Sequence, residues 1–341
     1  MISRVAESCF WLNRYVERVE TLSRILSVNL VFQLDIAIAE AERWRPFVVV
    51  TGEEQDFLER TDASKLDDAE TVQEYLTWSD DNPSSLRSSL RFARENARTI
   101  RETISLEMWE VLNDLWVWIN DRSARRMYRS DRHSFYLRLR NQCLLFHGAA
   151  QATMLHEDPF EFMRLGTALE RAGQTARVLD IKYHSIGPTN AGDESPVEAA
   201  HWIATLRYCS GAEPFVKRED QTFSGRSVAG FLLFDRTFPR SVLHNLVRAR
   251  NFLGLVRPAG GSSVGERSEA LLDQTLREFD ALDIDRVLDR GLHEVLTGVV
   301  ETTAQICESV RSEFFDPEIS HGAQSQTLTG SSMSQSQTSA G

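Results

Sequence analysis

Leu12-Asn13-Arg14-Tyr15-Val16-Glu17-Arg18-Val19-Glu20-Thr21-Leu22-Ser23-Arg24-Ile25-Leu26 is echoed later in the chain by Leu165-Gly166-Thr167-Ala168-Leu169-Glu170-Arg171-Ala172-Gly173-Gln174-Thr175-Ala176-Arg177-Val178-Leu179. The offset is 153 residues, and it is constant for the apolar positions and for the Glu-Arg pair. A second block follows in the same order. Val72, Tyr75, Leu76, Trp78, Pro83, Ser85, Leu86 and Leu90 correspond to Val228, Phe231, Leu232, Phe234, Pro239, Ser241, Val242 and Leu246 at an offset of 156. Two blocks in one order, shifted by three residues, predict a tandem duplication with halves of about 1–157 and 158–316.

The apolar spacing around the first block is helical. Val5, Cys9, Leu12, Val16, Val19, Ser23, Leu26 and Leu30 alternate steps of four and three, and Trp11, Tyr15, Leu22 and Ile25 widen the stripe enough to bury the helix on two sides. The pattern predicts one long helix over 3–44. Further helices are expected over 69–79, from Pro83 to about Asn120 with Asn82 as its cap, and over 132–156 and 159–185. The second half is expected to supply 197–210, 225–235, 239–256, 266–279 and 285–313. Prolines are expected at element boundaries, since proline interrupts helices. Phe47–Thr51 is the one strand-like run. Residues 186–196 and Pro258–Ser263 read as loops. From about Glu318 the chain turns Ser/Gln/Thr/Gly-rich and lacks core-forming residues, so 317–341 is expected to be a disordered tail. The fold class is all-α: a multi-helix bundle with pseudo-twofold halves.

Composition bounds the function. The 341 residues are 42% hydrophobic and 26% charged, an ordinary globular mixture. A net charge of −12 argues against a nucleic-acid partner, which needs a cationic footprint. Four scattered cysteines form no CxxC pair and signal neither a zinc site nor a disulfide framework. The acid in Met1-Ile-Ser-Arg-Val-Ala-Glu7 and the Asp35 interrupting Val28–Ala39 predict neither a signal peptide nor a membrane span. The expectation is a cytoplasmic protein.

Arg18 falls inside the apolar arc, between Trp11, Leu22 and Ile25. A guanidinium there cannot shed its charge and requires a carboxylate or an anionic ligand. Arg171 stands in the same register, with Arg164 in place of Trp11 and Thr175 in place of Leu22. Glu17 shares a stripe with Arg24, and Glu170 with Arg177, because seven residues make nearly two turns. Reciprocal packing of the two helices would bring Arg18 to Glu170 and Arg171 to Glu17. Two readings stay open: a buried ion-pair network that sets register, or a pocket of fixed charges that grips a carboxylate, phosphate or peptide. Arg94 and Arg98, on the helix after Pro83, form a third cluster, either a solvated face or an anion-binding ridge.

Enzyme motifs fail on context. Gly261-Ser262-Ser263-Val264-Gly265 fits a nucleophile elbow but follows a helix and a Pro/Gly loop. Glu266-Arg267 stands where a phosphate loop needs Lys-Ser/Thr, and no HExxH occurs. No catalytic residue, metal ligand or cofactor is assigned.

Trp11-Leu12-Asn13-Arg14-Tyr15-Val16-Glu17-Arg18, Ala93-Arg94-Glu95-Asn96-Ala97-Arg98, and Phe162-Met163-Arg164-Leu165-Gly166 leading to Glu170-Arg171 together resemble the alpha-E family of bacterial helical proteins, over roughly residues 1–315. The resemblance implies genomic association with circularly permuted ATP-grasp proteins and transglutaminase-like proteins. It also implies a role in peptide synthesis or modification. The expectation it supports is a non-catalytic helper that binds such a ligase or its peptide substrate. The alternatives are an enzyme using Glu17 or Glu170 as base with Arg18 or Arg171 as anion clamp, and an oligomeric scaffold.

Overall fold

The wide apolar stripe of the first block is buried on two sides because two partners cover it. In the computed structural model, which describes residues 3–35, 40–186, 196–218, 223–258 and 262–316, helix α1 (Ser3–Asp35) packs on α5 (Leu86–Thr99) and α8 (Arg132–Thr153). Its remaining face meets α9 (Asp158–Ile186), the helix that carries the second block. Helix α9 in turn packs on α13 (Val242–Val256) and α16 (Leu292–Val310). The molecule is therefore built around a central α1–α9 pair, each helix flanked by two others. The core is continuous across that pair, with Leu12, Val16, Val19, Leu165, Leu169 and Ala172 all inaccessible to solvent.

The remaining elements follow the same order in each half. After α1 come α2 (Glu40–Thr51), α3 (Glu54–Arg60), a 3₁₀ turn (Ala63–Asp67), α4 (Ala69–Trp78), α5, α6 (Leu106–Ile119), α7 (Arg122–Ser130) and α8. After α9 come α10 (Pro196–Tyr208), α11 (Ala212–Val216), α12 (Gly225–Phe234), α13, α14 (Glu266–Asp280), α15 (Ile284–Arg290) and α16, which ends in a π turn (Arg311–Phe315). No strand occurs among the described residues. The tail, most of the loop 186–196, and Ala259–Gly261 lie outside them.

Several boundaries differ from the sequence expectation, each for a local reason. Phe47–Thr51 is helix, the end of α2, because Trp44, Phe47 and Val48 bury one face at helical spacing. The β-branched valines had suggested a strand. Pro46 sits inside that helix rather than at a boundary. The helix expected from Pro83 to Asn120 is two helices. Between them Ile100 and Ile104 turn into the core, and Ser105 starts α6 by accepting Met108 N–H at 3.2 Å. The cap of α5 is Ser85, not Asn82: Ser85 Oγ accepts Ser88 N–H at 3.1 Å and donates to Ser79 O at 2.8 Å. Asn82 instead accepts Ser84 N–H in the preceding turn. Ser241 repeats the arrangement, accepting His244 N–H at 3.1 Å and donating to Asp235 O. The expected helix 285–313 is broken at Gly291, whose φ of 100° suits glycine.

The central pair runs parallel, since contacts advance together: Phe10 meets Gly166, Asn13 meets Thr167, and Glu17 meets Arg171. Gly166 permits the close approach. A Cβ there would lie 2.4 Å from Phe10 O, a backbone atom that cannot swing aside. Gly166→Ala is therefore expected to destabilise the fold by about 1–3 kcal/mol. Gly148→Ala, in α8 with nothing within 4 Å of the new Cβ, is expected to stabilise it by up to about 1 kcal/mol. Urea denaturation of both variants checks the pair.

Candidate functional site

Glu17 and Glu170 sit where α1 and α9 cross-contact, and each receives the arginine of the other block. Arg18 donates from Nε to Glu170 Oε1 at 2.9 Å and from Nη2 to Oε2 at 3.3 Å. Arg171 donates from Nε to Glu17 Oε1 at 3.0 Å and from Nη2 to Oε2 at 2.6 Å. The two-pronged geometry matches the guanidinium fork to the carboxylate. Glu17 is wholly buried and the Glu170 side chain is 4% exposed.

Each carboxylate also holds a second arginine, from a different place. Glu170 accepts Arg14 Nε at 2.9 Å, one turn before Arg18, and Gln174 Nε2 at 3.0 Å. Glu17 accepts Arg240 Nη1 at 3.0 Å, from the turn before α13, while Arg240 Nη2 reaches Glu20 at 2.5 Å. Arg14 also lies over the Trp11 ring, 4.6 Å from its centroid. Burial alone would raise both carboxyl pKa values. The paired arginines outweigh it and hold Glu17 and Glu170 well below the usual carboxylate range.

Arg24 and Arg177 share a register but have different surroundings. Arg24 is buried and pairs with Glu20, one turn before it, rather than with Glu17. Burial, reinforced by nearby Arg240, pulls its pKa down to about 9, so it keeps its charge at neutral pH. At the position corresponding to Glu20 the second block has Gly173, and Arg177 has no ion-pair partner among the described residues. At the position corresponding to Arg240 the first half has Ser84. These two small residues leave room: a cavity of about 120 Å³ opens beside Glu170, lined by Ser84, Gly173, Arg177, Arg14 and Arg18. Leu22, Ile25, Phe47, Val178 and Val300 form its apolar wall. At the corresponding place on the Glu17 side stand Glu20 and Arg240, paired with each other.

Arg94 and Arg98 do not join this network. Arg94 donates to Asn113 at 3.1 Å and Arg98 to Glu95 at 2.9 Å, and the Arg98 side chain is 67% exposed. Arg98 is solvated, whereas Arg94 is half-buried against the Trp109 ring. Sequence reading missed Arg14, Glu20 and Arg240. Arg14 was within reach, four residues before Arg18 on the same stripe. Arg240 stands where the first half has a serine, and nothing local marks it.

His147, on α8, lies beside the Glu17 carboxylate. Its Nε2 lies 3.5 Å from Glu17 Oε2 and has no hydrogen-bond partner among the described residues. Burial first, offset in part by Glu17 and reinforced by Arg171 and Arg240, lowers its pKa to about 4.

Replacing a carboxylate should cost more than replacing one arginine, because each carboxylate holds two guanidiniums. Glu17→Gln leaves Arg171 and Arg240 facing one another and is expected to cost on the order of 3–5 kcal/mol. Arg18→Ala, which leaves Arg14 on Glu170, should cost less in the same chemical-denaturation measurement. Acid should act in two stages. Unfolded His147 takes a proton near 6.5 and the folded form only near 4, so stability complete above 6.5 declines as pH falls through that window. Glu17 and Glu170, both held below 4.5, add a steeper loss lower down. His147→Asn should flatten the upper stage of a Tm-versus-pH curve and leave the lower one.

Comparison with known proteins agrees with this architecture. Uncharacterized proteins of Mycobacterium bovis and of two Mycobacterium tuberculosis strains are each 25% identical over 315 residues. The match takes in 87% of this chain and 35% of each relative, so the chain spans about a third of their length. No solved structure matches it significantly. Residues 1–315 match a family described as a predicted alpha-helical domain with a conserved ER motif, and Glu17-Arg18 and Glu170-Arg171 lie inside the match; the chain belongs to the Alpha-E family.

Proposed function

We propose that this chain is a non-catalytic, substrate-binding partner of a circularly permuted ATP-grasp peptide ligase, and that the ligase supplies ATP, magnesium and the acyl-phosphate chemistry. The observation that carries this reading is the unequal fate of the two Glu-Arg crossings. One is filled by its own ion pairs. The other keeps an apolar-walled cavity in which Arg177 makes no ion pair among the described residues. An apolar wall with a guanidinium suits a peptide end: a carboxylate on the arginine and an aliphatic or aromatic side chain against the wall.

Two further facts support a partner over a free-standing enzyme. Glu17 and Glu170 are held ionised by two arginines each, which makes them poor general bases near neutral pH. The mycobacterial relatives carry the matched region as 35% of a longer chain, joined to other sequence. A transglutaminase-like protein is a second candidate partner. We read the matched element order of the two halves as a tandem duplication whose copies have diverged, one keeping the site. The location we propose is cytoplasmic: the four cysteines are unpaired and buried, the state expected in a reducing compartment. No described helix is long and apolar enough to cross a membrane.

Affinity purification from the native cell is expected to recover an ATP-grasp protein, and the complex to form an amide bond at the expense of ATP. The chain alone should bind no ATP. Arg177→Gln should retain the fold and the partner yet lower amide formation about tenfold, the loss of one charge-assisted contact. Recovery of the chain without any ligase, or turnover by the chain alone, would overturn the reading.

A further inference from the structure

A second cavity, of about 270 Å³, lies on the far side of Arg171, between α8, α9 and α13. Its charged lining is cationic, Arg164, Arg171 and Arg248, and the imidazoles of His147 and His244 complete the polar side. Arg171 is neutralised by Glu17 behind it. Among the described residues Arg164 pairs with Glu161 alone, at 3.6 Å. Arg248 has no carboxylate partner among the described residues. Its guanidinium lies 4.6 Å from the Phe252 centroid, and Arg164 lies 4.2 Å from the same ring, so the two cations are held about one aromatic side chain. Burial lowers the pKa of Arg164, Glu161 opposes that, and the neighbouring Arg248 reinforces it. Asn13, 4% exposed, lines the same cavity and leaves its Oδ1 buried without a partner.

The other half of the chain shows that this room is not a by-product of the fold. The positions 153 residues before Arg164 and Ala168 are Trp11 and Tyr15, and the position 156 before Arg248 is Phe92. Those three aromatics fill their side of the bundle: Trp11 stacks on Tyr15 at 5.7 Å, and Tyr15 meets Phe92 at 5.3 Å. The second half has two arginines and an alanine in their place, so bulk gives way to space and apolar surface to positive charge.

We infer that this cavity is a binding site for a small oxyanion, a phosphate group before a carboxylate. Two guanidiniums without a full counter-charge match a dianion. Guanidinium forks bind phosphate oxygens in pairs. The site is separate from the cavity beside Glu170 and stands whether or not a peptide ligase is the partner.

Calorimetric titration of the intact chain with inorganic phosphate, and in parallel with acetate, tests this. Phosphate should bind saturably. Arg248→Gln should weaken it about tenfold, as expected for one charge-assisted hydrogen bond. Arg129→Gln, on the exposed surface of α7, should leave it unchanged, and thermal melting should show both variants folded. Saturable acetate binding lost in Arg248→Gln would support the site and assign its ligand as a carboxylate. Absence of saturable binding by either anion, or equal binding by wild type and Arg248→Gln, would overturn the inference.

Discussion

The exchange of arginines between α1 and α9 is the contact on which the rest of the molecule depends. A carboxylate with the burial of Glu17 is expensive unless guanidiniums surround it. The two helices can satisfy their carboxylates only in one axial register, because Arg18 must reach Glu170 while Arg171 reaches Glu17. Apolar contacts would tolerate a slide of one turn; four directed hydrogen bonds do not. The close backbone approach at Gly166 serves the same register, and the flanking helices α5, α8, α13 and α16 are then placed by the pair they cover.

The two sides of that fixed crossing differ in what fills them. Glu20 against Gly173 and Arg240 against Ser84 decide which side is filled with ion pairs. Trp11, Tyr15 and Phe92 against Arg164, Ala168 and Arg248 decide which side is filled with aromatics. In each comparison one half spends its bulk on packing and the other leaves a cavity. A register held by buried ion pairs permits this, because side chains one turn away can change size without moving the helices.

How much of this the sequence disclosed follows the range of the forces involved. The all-helical class and the reciprocal Glu-Arg contact were legible, because periodicity and a misplaced guanidinium are visible within a few residues of Arg18. Helix ends were less legible. Ser85, not Asn82, caps α5, since the choice between neighbouring polar residues is made by Ser79 O, which only the folded turn brings near. Phe47–Thr51 looked extended because β-branched residues dominate it, yet Trp44 and Phe47 lie on a helical face buried against other elements. The cavities were not legible at all, since Ser84 and Gly173 are 89 residues apart in sequence and say nothing singly.

The parallel central pair also bears on biosynthesis. Helix α1 leaves the ribosome about 150 residues ahead of α9, and until α9 follows, the face bearing Glu17 lacks its counter-helix while α5 and α8 are already available. Vectorial synthesis therefore leaves that side of α1, with Glu17 on it, open to solvent until one distant helix arrives to cover it. A chain cut between α8 and α9 would leave Glu17 without Arg171 and Arg240, and the apolar stripe of α1 without the helix that covers it.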